Sequence, residues 1–224
     1  MPTELPTTSY AVLGMLSLRS WTGYELTQQM RRSLDYCWPK TESVLYDEPR
    51  RLVSLGLARA KSEKSGGRVR QRYEITAAGR RALRKWLRSE PQDPRLELEV
   101  MLRLLFADQG DAEDLRRSIA AFRRWSKARH DAGMAMFREY LDGASPFQER
   151  AHINLLFGAF FAGLFELVEE WSATVEAELD AWPNTNDVGM TETGRRLATA
   201  ALERQAAAAE SGSDPPLVAR AGRH

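Results

Sequence analysis

Basic side chains at every second position mark one stretch of this chain as a candidate binding surface. Arg68, Arg70 and Arg72 alternate along RVRQRYEI, and Lys64 precedes them just before the turn Ser65-Gly66-Gly67. Side chains two apart lie on one face of a strand, so the three guanidinium groups would form a row able to bind phosphate oxygens. Charge rows are also common on solvated strand faces, and this stretch alone leaves both interpretations open.

A second candidate surface lies upstream, on TESVLYDEPRRLVS. Helical spacing puts Leu45, Pro49 and Leu52 on one face. Hydrogen-bonding side chains project from the other side: Ser43, Tyr46, Asp47, Arg50 and Ser54. Such a helix packs its apolar face on a core and can present its polar face to base edges in DNA. Tyr46 suits either a DNA contact or a small-core position with its hydroxyl capped.

Patterns typical of catalysis or metal binding do not accompany these surfaces. The histidines are scattered, at His130, His152 and His224, with no second histidine or cysteine at ligand spacing. Cys37 has no histidine nearby in the sequence to activate it and is expected to be buried. Gly66-Gly67 lies in a hairpin, not at the strand-to-helix junction of a phosphate-binding loop. We therefore expect neither an enzyme nor a metal or cofactor site.

The charge of the chain is unevenly distributed. The net charge over 224 residues is +1, but residues 1–88 hold 17 Lys/Arg against 8 Asp/Glu, and residues 89–224 hold 15 against 23. A basic front half and an acidic back half indicate that only the front binds a polyanion. A single cysteine and no signal-peptide pattern predict a cytoplasmic protein. The longest uncharged apolar run, Ile153–Phe165, is shorter than the ~18 residues of a membrane helix.

Residues 1–88 have the element order of a winged helix-turn-helix domain. Apolar spacing predicts helices from Ser9, with Ser9 as cap, and from Trp21 to Leu34. A third helix, Thr41–Ser54 with Thr41 as cap, would be the recognition helix, and Asp35–Lys40 the turn before it. The wing would span Lys64–Arg70. A fourth helix, capped by Thr76, would point Leu83, Trp86 and Leu87 inward. We expect DNA contacts from Lys40, Thr41, Ser43, Tyr46, Arg50, Arg51, Lys64, Arg68 and Arg70.

Several short motifs in this region resemble the PadR family of bacterial transcriptional regulators. In order they are YAVLGMLSL, TGYEL, SVLY, RRLVSLGL and RYEITAAGR, within Ser9–Leu87. The resemblance implies a cytoplasmic homodimer that binds operator DNA, usually as a repressor, with the C-terminal helices building the dimer. It also implies that a small molecule can release the DNA, as in many relatives.

One motif departs from the family. Its members commonly follow the recognition-helix tyrosine with Pro-x-Leu, whereas this chain has Tyr46-Asp47-Glu48-Pro49. Proline inside a helix removes the amide bond to the Leu45 carbonyl, costs ~3 kcal/mol and predicts a kink. Asp47 and Glu48 would repel phosphates, although a carboxylate can accept a hydrogen bond from cytosine N4.

The sequence of the back half predicts a helical dimerisation or effector domain. A proline-containing linker at 89–95 leads to helices near 96–106, 111–141 and 147–182, and residues 183–224 would form a last helix, about 191–209, and a disordered tail. The stretch Ile153–Val168 is apolar nearly all round, so it needs cover from a second subunit as well as its own chain. The expected dimer interface is Leu156, Phe157, Phe160, Phe161, Leu164 and Phe165.

The aromatic residues leave a choice between core and pocket. Trp21, Trp125 and Trp171 could line a site for a small aromatic or apolar effector, or be plain core residues. The sequence as a whole predicts a mainly α-helical protein with a β wing that acts as a dimeric DNA-binding regulator, a repressor. The alternatives are a protein-interaction adaptor on a winged fold that has lost DNA binding, favoured by Asp47-Glu48-Pro49, and a small-molecule carrier.

Overall fold

The computed structural model describes residues 5–65 and 68–210, with the backbone alone at 64, 65, 68 and 210. The chain forms two compact units that divide between Pro94 and Arg95. Each unit has its own apolar core.

Four helices and three strands make up the described part of the first unit. They are α1 (Thr7–Leu18), β1 (Trp21–Thr22), α2 (Gly23–Leu34), α3 (Glu42–Ser54), β2 (Ala58–Ser65), β3 (Arg68–Ile75) and α4 (Ala77–Trp86). The strands form an antiparallel sheet in the order β1-β3-β2. The core beneath them is apolar and fully buried, and includes Val12, Leu13, Leu16, Trp21, Leu26 and Leu52.

Helices cover only the base of the β2–β3 hairpin. Tyr73 and Ile75, near the end of β3, are buried, whereas Val69 is 63% exposed. The side chains of β3 therefore alternate as predicted, but those on the inward face are buried only near the end of the strand. The predicted turn at Gly66-Gly67 lies outside the described residues.

Two of the predicted caps in the first unit are present. The Thr76 hydroxyl accepts a hydrogen bond from the backbone N–H of Gly79 at 3.1 Å. Thr41 occupies the N-cap of α3, but its hydroxyl makes no capping hydrogen bond and lies 3.1 Å from the Ser43 hydroxyl. The start of α3 is therefore set by backbone geometry rather than by that side chain.

Other local predictions in this unit were wrong. Pro6, not Ser9, is the N-cap of α1, and Ser9 is buried inside the helix. Trp21 belongs to a short strand paired with Tyr73 instead of opening α2. Leu87 lies beyond the last turn of α4 and is 67% exposed. Cys37 is exposed because the segment between α2 and α3 runs over the surface.

The second unit is helical throughout its described part. It contains α5 (Glu99–Leu105), α6 (Ala112–Leu141), α7 (Ala151–Ala181) and α8 (Glu192–Glu210), with short 3-10 helices at Ala107–Gln109 and Gln148–Arg150. At 1.5 Å per residue, α6 and α7 are each roughly 45 Å long. They run antiparallel, because Arg123 near the middle of α6 binds Glu169 and Glu176 of α7, and Arg116 binds Asp180 at 2.7 Å.

The core of this unit lies where α5, α6 and α7 meet. Val100, Leu115, Ile119 and Leu179 are buried there, and Phe122 and Trp171 pack against them. The predicted helix near 96–106 is shorter than expected, since Leu96 precedes α5 and is 77% exposed. The predicted tail beyond α8 lies outside the described residues from position 211 onward.

The apolar surface of α7 is only partly covered within the chain. Leu156 is 77% exposed and Phe160 68% exposed, whereas Phe165 is 4% exposed and lies edge-on to Trp125 of α6. Phe165 is thus covered by its own chain and offers no area to a second one, contrary to the sequence prediction.

By length and composition, one described segment, Gln148–Ala181, could cross a membrane. Its best 18-residue window has a mean hydropathy of 1.6, and 17% of that window is buried in the chain. The sequence argument counted only uncharged residues and so missed it. A single such helix is weak support for a membrane span, since core helices have the same composition.

Candidate nucleic-acid interface

The α3 helix has the two faces expected from its sequence. Leu45, Pro49 and Leu52 are buried, whereas Ser43, Asp47, Arg50 and Ser54 are exposed. The helix is continuous from Glu42 to Ser54 with Pro49 inside it, and Pro49 fills a core position where a leucine would otherwise pack.

Glu48 lies on the buried face, not beside Asp47 on the outer one. Its side chain is buried, and the Ser9 hydroxyl of α1 donates to Glu48 Oε1 at 2.5 Å. Arg51 donates from Nε to Oε2 at 3.0 Å and from Nη2 to Oε1 at 2.9 Å. The prediction that Glu48 repels phosphates was wrong, because a residue three positions after Leu45 shares the inward face of a helix.

The two neighbouring arginines of α3 have different surroundings. Arg51 was expected to contact DNA, but its guanidinium binds Glu48, and these hydrogen bonds raise the pKa of Arg51 above its usual range. Arg50 is exposed and lies 3.4 Å from the Asp47 carboxylate on the outer face. Both side chains reach the surface, but Arg50 is the more exposed of the two, and Arg51 is bound to a buried carboxylate.

The N-terminal end of α3 is exposed. Lys40, Thr41 and Ser43 all lie on the surface, and Lys40 Nζ is 4.9 Å from the centre of the Trp38 ring. Unpaired backbone N–H groups at a helix N-terminus attract phosphate, so these residues are well placed for backbone contacts. Glu42, at the same end, forms a 3.7 Å ion pair with Arg31 of α2.

Tyr46 takes an intermediate position. It is half-buried, and a Cβ added to Gly23 would lie 3.5 Å from its ring. The ring thus packs at the start of α2, which combines the two roles that the sequence left open.

The cations of the hairpin differ in whether another residue binds them. Arg72 is half-buried and bridges Glu63 at 2.7 Å and Glu25 at 3.3 Å; the hydrogen bond to Glu63 raises its pKa. Arg70 is exposed and has no ion pair within the part of the chain that the structure describes. The side chains of Lys64 and Arg68 lie outside the described residues.

Two further hairpin cations share one carboxylate. Arg59 and Lys61 of β2 both bind Glu74 of β3, at 2.6 and 3.0 Å, and the Lys61 and Arg59 hydrogen bonds lower the pKa of Glu74. Among the hairpin cations whose side chains the structure describes, these pairs leave Arg70 without an ion partner.

A basic surface on α4 and the residues directly after it was not predicted. Five exposed cations follow each other with no acid between Glu74 and Glu90, and no ion pair to them occurs among the described residues. They are Arg80, Arg81, Arg84, Lys85 and Arg88. The run RRALRKWLR was a visible signal for them.

The three tryptophans proposed for a pocket belong to different units of the chain. Trp21 is a core residue of the first unit, 1% exposed, and its Nε1 donates to the Met15 carbonyl at 2.8 Å. Trp125 and Trp171 lie in the second unit on either side of Phe122. Trp125 borders an open groove of about 950 Å³ between α5 and α6, whereas Trp171 packs against the core.

Comparison with known proteins identifies the first unit. Residues 12–85 match the model of the transcriptional regulator PadR-like family. The negative transcriptional regulator PadR of Bacillus subtilis (strain 168) is 28% identical over 99 residues, which cover 43% of this chain and 54% of that relative. The match thus spans about half the length of that protein.

Solved structures share the fold. B. subtilis PadR in complex with operator DNA has a TM-score of 0.64 at 20% identity, covering 78% of this chain and 99% of that one. The Vibrio cholerae virulence activator AphA has a TM-score of 0.60 at 24% identity, covering 77% and 98%. PadR in complex with p-coumaric acid has a TM-score of 0.58 at 21% identity, covering 78% and 96%.

These matches confirm the predicted fold class, mainly helical with a winged N-terminal domain, and they confirm the family resemblance. The match to the PadR-like family of transcriptional regulators covers residues 12–85, and the solved structures add the likeness of the fold.

Proposed function

We propose that this protein is a cytoplasmic DNA-binding transcriptional regulator. The observation that carries the proposal is the PadR-like domain, in which α3 packs one face on the core and exposes a polar face. A helix of this kind can enter the major groove while the β2–β3 hairpin contacts the phosphate backbone. The fold shared with PadR bound to operator DNA supports this mode of binding.

The proposed contacts are those that the sequence predicts, without Arg51. On and before α3 they are Lys40, Thr41, Ser43, Tyr46 and Arg50; on the wing they are Lys64, Arg68 and Arg70. Arg51 is left out because its guanidinium binds Glu48. Asp47 faces outward beside Arg50, where a carboxylate can accept a hydrogen bond from a cytosine amino group.

The regulator would act as a homodimer. Leu156, Phe160 and Leu167 of α7 are each more than half exposed in the single chain. A contiguous apolar surface of this kind on a protein in water marks an interaction site. A second copy, related by two-fold symmetry, would cover this surface by packing its own α7 against it. Such a dimer would bring two winged domains to one operator.

Repression and effector release are the finer part of the proposal. The matching B. subtilis relative is a negative regulator, and that protein has been solved with p-coumaric acid. In this chain the groove between α5 and α6 has Phe122 and Trp125 as an apolar wall, and its cations Arg103 and Arg117 pair with Glu99 and Asp114 of the same groove. A small aromatic compound bound there would release DNA only if it bound the DNA-free form more tightly.

The adaptor remains the second candidate, and one observation favours it. The α3 helix carries Glu42, Asp47 and Glu48 against Arg50 and Arg51, a net charge of −1. A recognition helix without excess positive charge gains no affinity from phosphates, so the wing would have to supply it.

A mobility-shift assay decides between the two. The probe is the DNA directly upstream of the protein's own coding region, at two salt concentrations and with random competitor DNA. A shift that resists competitor and weakens with salt supports the regulator. No shift, from protein that is folded and dimeric by ultracentrifugation, supports the adaptor.

A further inference from the structure

The adjacent residues Arg50 and Arg51 look interchangeable in the sequence but not in the structure. The Arg50 side chain is 69% exposed and its ion partner, Asp47, lies on the same outer face. Arg51 directs Nε and Nη2 at Glu48, and Nη2 also donates to the Ser9 hydroxyl at 2.6 Å. The Arg51 side chain is 42% exposed, but Glu48 and Ser9 hold its guanidinium.

Ser9, Glu48 and Arg51 form a polar cluster between α1 and α3. Ser9 is fully buried and Glu48 is 8% exposed. A buried carboxylate is stable only when it is paired and hydrogen-bonded. Here the Ser9 hydroxyl donates one hydrogen bond and Arg51 donates two, so Glu48 has partners on both of its oxygens.

The cluster lies where α3 most needs a directional contact. Leu45, Pro49 and Leu52 bury apolar surface against the core, and burial of this kind does not fix the rotation of a helix closely. Pro49 has no amide proton, so the Leu45 carbonyl loses its regular helical donor in the middle of α3. Hydrogen bonds have narrow geometry, and those to Glu48 join this part of α3 to α1.

We infer that Glu48 is a positioning residue for the recognition helix, and that Arg51 acts through Glu48 instead of contacting DNA. The inference rests on the proposed function, DNA binding by α3. The rotation of α3 on α1 decides where Asp47 and Arg50 meet base edges. Loss of the cluster therefore weakens binding to the operator more than binding to random DNA, which depends on phosphate contacts.

The test compares Arg50→Ala and Arg51→Ala in the full chain. Binding to operator and random DNA is measured over a range of salt, well below the melting temperatures of both variants. We expect Arg50→Ala to lose operator affinity without a change in melting temperature. We expect Arg51→Ala to melt several degrees lower and to bind the operator roughly tenfold more weakly, with the slope of log affinity against log salt unchanged. Loss of a phosphate contact would reduce that slope by about 0.9.

Either of two results for Arg51→Ala would overturn the inference. A reduced salt slope would make Arg51 a phosphate contact. A lower melting temperature with unchanged operator affinity would make the cluster a stability element that does not position α3.

If Arg51→Ala does not fold, Arg51 can instead be replaced in a protein that already carries Glu48→Met. Glu48→Met removes the buried carboxylate, and apolar replacement of a buried ion pair is often neutral. We expect Arg51→Met in that background to leave operator affinity within about twofold, because Arg51 then has nothing to position. A further loss there contradicts the inference.

Failure of the proposed function would look different. The wild-type protein would then bind no operator at all. In that case melting temperatures test the cluster. The effects of Glu48→Met and Arg51→Met on the melting temperature should not be additive, since the two residues are coupled partners. Additive effects would overturn the inference.

Discussion

Neighbouring arginines on β3 differ in whether the protein already binds them. Arg72 bridges Glu63 and Glu25 and holds β3 against β2 and α2. Arg70, two residues earlier, is exposed, and no ion pair to it occurs within 5–65 and 68–210. A cation that is free in the unbound protein can release counterions from DNA, whereas one bound to a carboxylate must first give up that partner.

For this reason Arg70→Ala is expected to weaken binding to all DNA sequences alike. The slope of log affinity against log salt should fall by about 0.9, and adding Arg68→Ala should lower it again. Fluorescence anisotropy with operator and random duplexes measures both. The matched control is Arg59→Ala, because Arg59 already pairs with Glu74. An equal effect of both changes would remove the wing tip from the contact surface.

Glu25 predicts a pH dependence at the residue scale. The backbone N–H of Thr22 donates to its carboxylate at 2.8 Å and lowers its pKa, and Arg72 lowers it further. A lowered pKa means that the folded protein favours the carboxylate. That stabilisation is therefore present above the ordinary pKa and is lost as the pH falls through the lowered one.

The variant that tests this is Glu25→Gln, which keeps an oxygen for the Thr22 N–H but removes the charge. We expect it to be less stable than wild type at pH 7, and the difference to shrink below the ordinary pKa of 4.5 and to disappear below the lowered pKa. Urea denaturation at both pH values measures it. A difference that stays constant with pH would assign the effect to the hydrogen bonds alone.

At the scale of elements, helix α4 approaches the rest of its unit more closely than any side chain would permit. A Cβ on Gly79 would lie 2.1 Å from the Leu57 carbonyl oxygen and 2.9 Å from Ile75. The first turn of α4, capped by Thr76, thus packs tightly against the segment between α3 and β2 and against the end of β3. Glycine is required there by close approach, since its backbone is helical.

Replacement by alanine is therefore expected to have opposite effects on stability at two helical glycines. We expect Gly79→Ala to reduce the free energy of unfolding by ~1–3 kcal/mol or more, because the backbone must move to admit a methyl group. Gly14→Ala in α1 is the matched control, since its Cβ would meet nothing within 4 Å. It should raise stability by ~0.5–1 kcal/mol through helix propensity. Thermal denaturation of both variants checks the prediction, and similar effects would contradict it.

At the scale of the whole molecule, the apolar surface of α7 sets the expected assembly. Packing on α6 buries Phe165, but Leu156 and Phe160 remain on the surface of the single chain. Burial of apolar area is the main favourable term in association, so a second copy is the proposed cover.

Phe160→Glu should convert the dimer to a monomer and leave the fold of each chain intact, because this side chain is 68% exposed. Sedimentation velocity gives the mass, and circular dichroism gives the helix content. Leu87→Glu in the first unit, at 67% exposure, is the matched control and should stay dimeric. A Phe160→Glu protein that remains dimeric would place the interface elsewhere.

The sequence by itself determined the order of the main helices and the hairpin, and the apolar faces of α3 and of the base of β3. Leu45, Pro49 and Leu52 follow helical spacing, and Tyr73 and Ile75 follow strand spacing, so both faces were readable from local pattern. The family resemblance, carried by short motifs in order, was readable for the same reason, and it is confirmed over residues 12–85.

Only the tertiary structure decided which charges are free. Ser9 and Glu48 are 39 residues apart, and Arg72 is 47 from Glu25, so no local pattern could pair them. The same holds for Trp21, whose indole lies in the core of the first unit, and for Phe165, which α6 covers. The spacing of residues along the chain predicts the direction in which each side chain points from a helix or strand axis. The residue that it contacts there depends on how the elements pack.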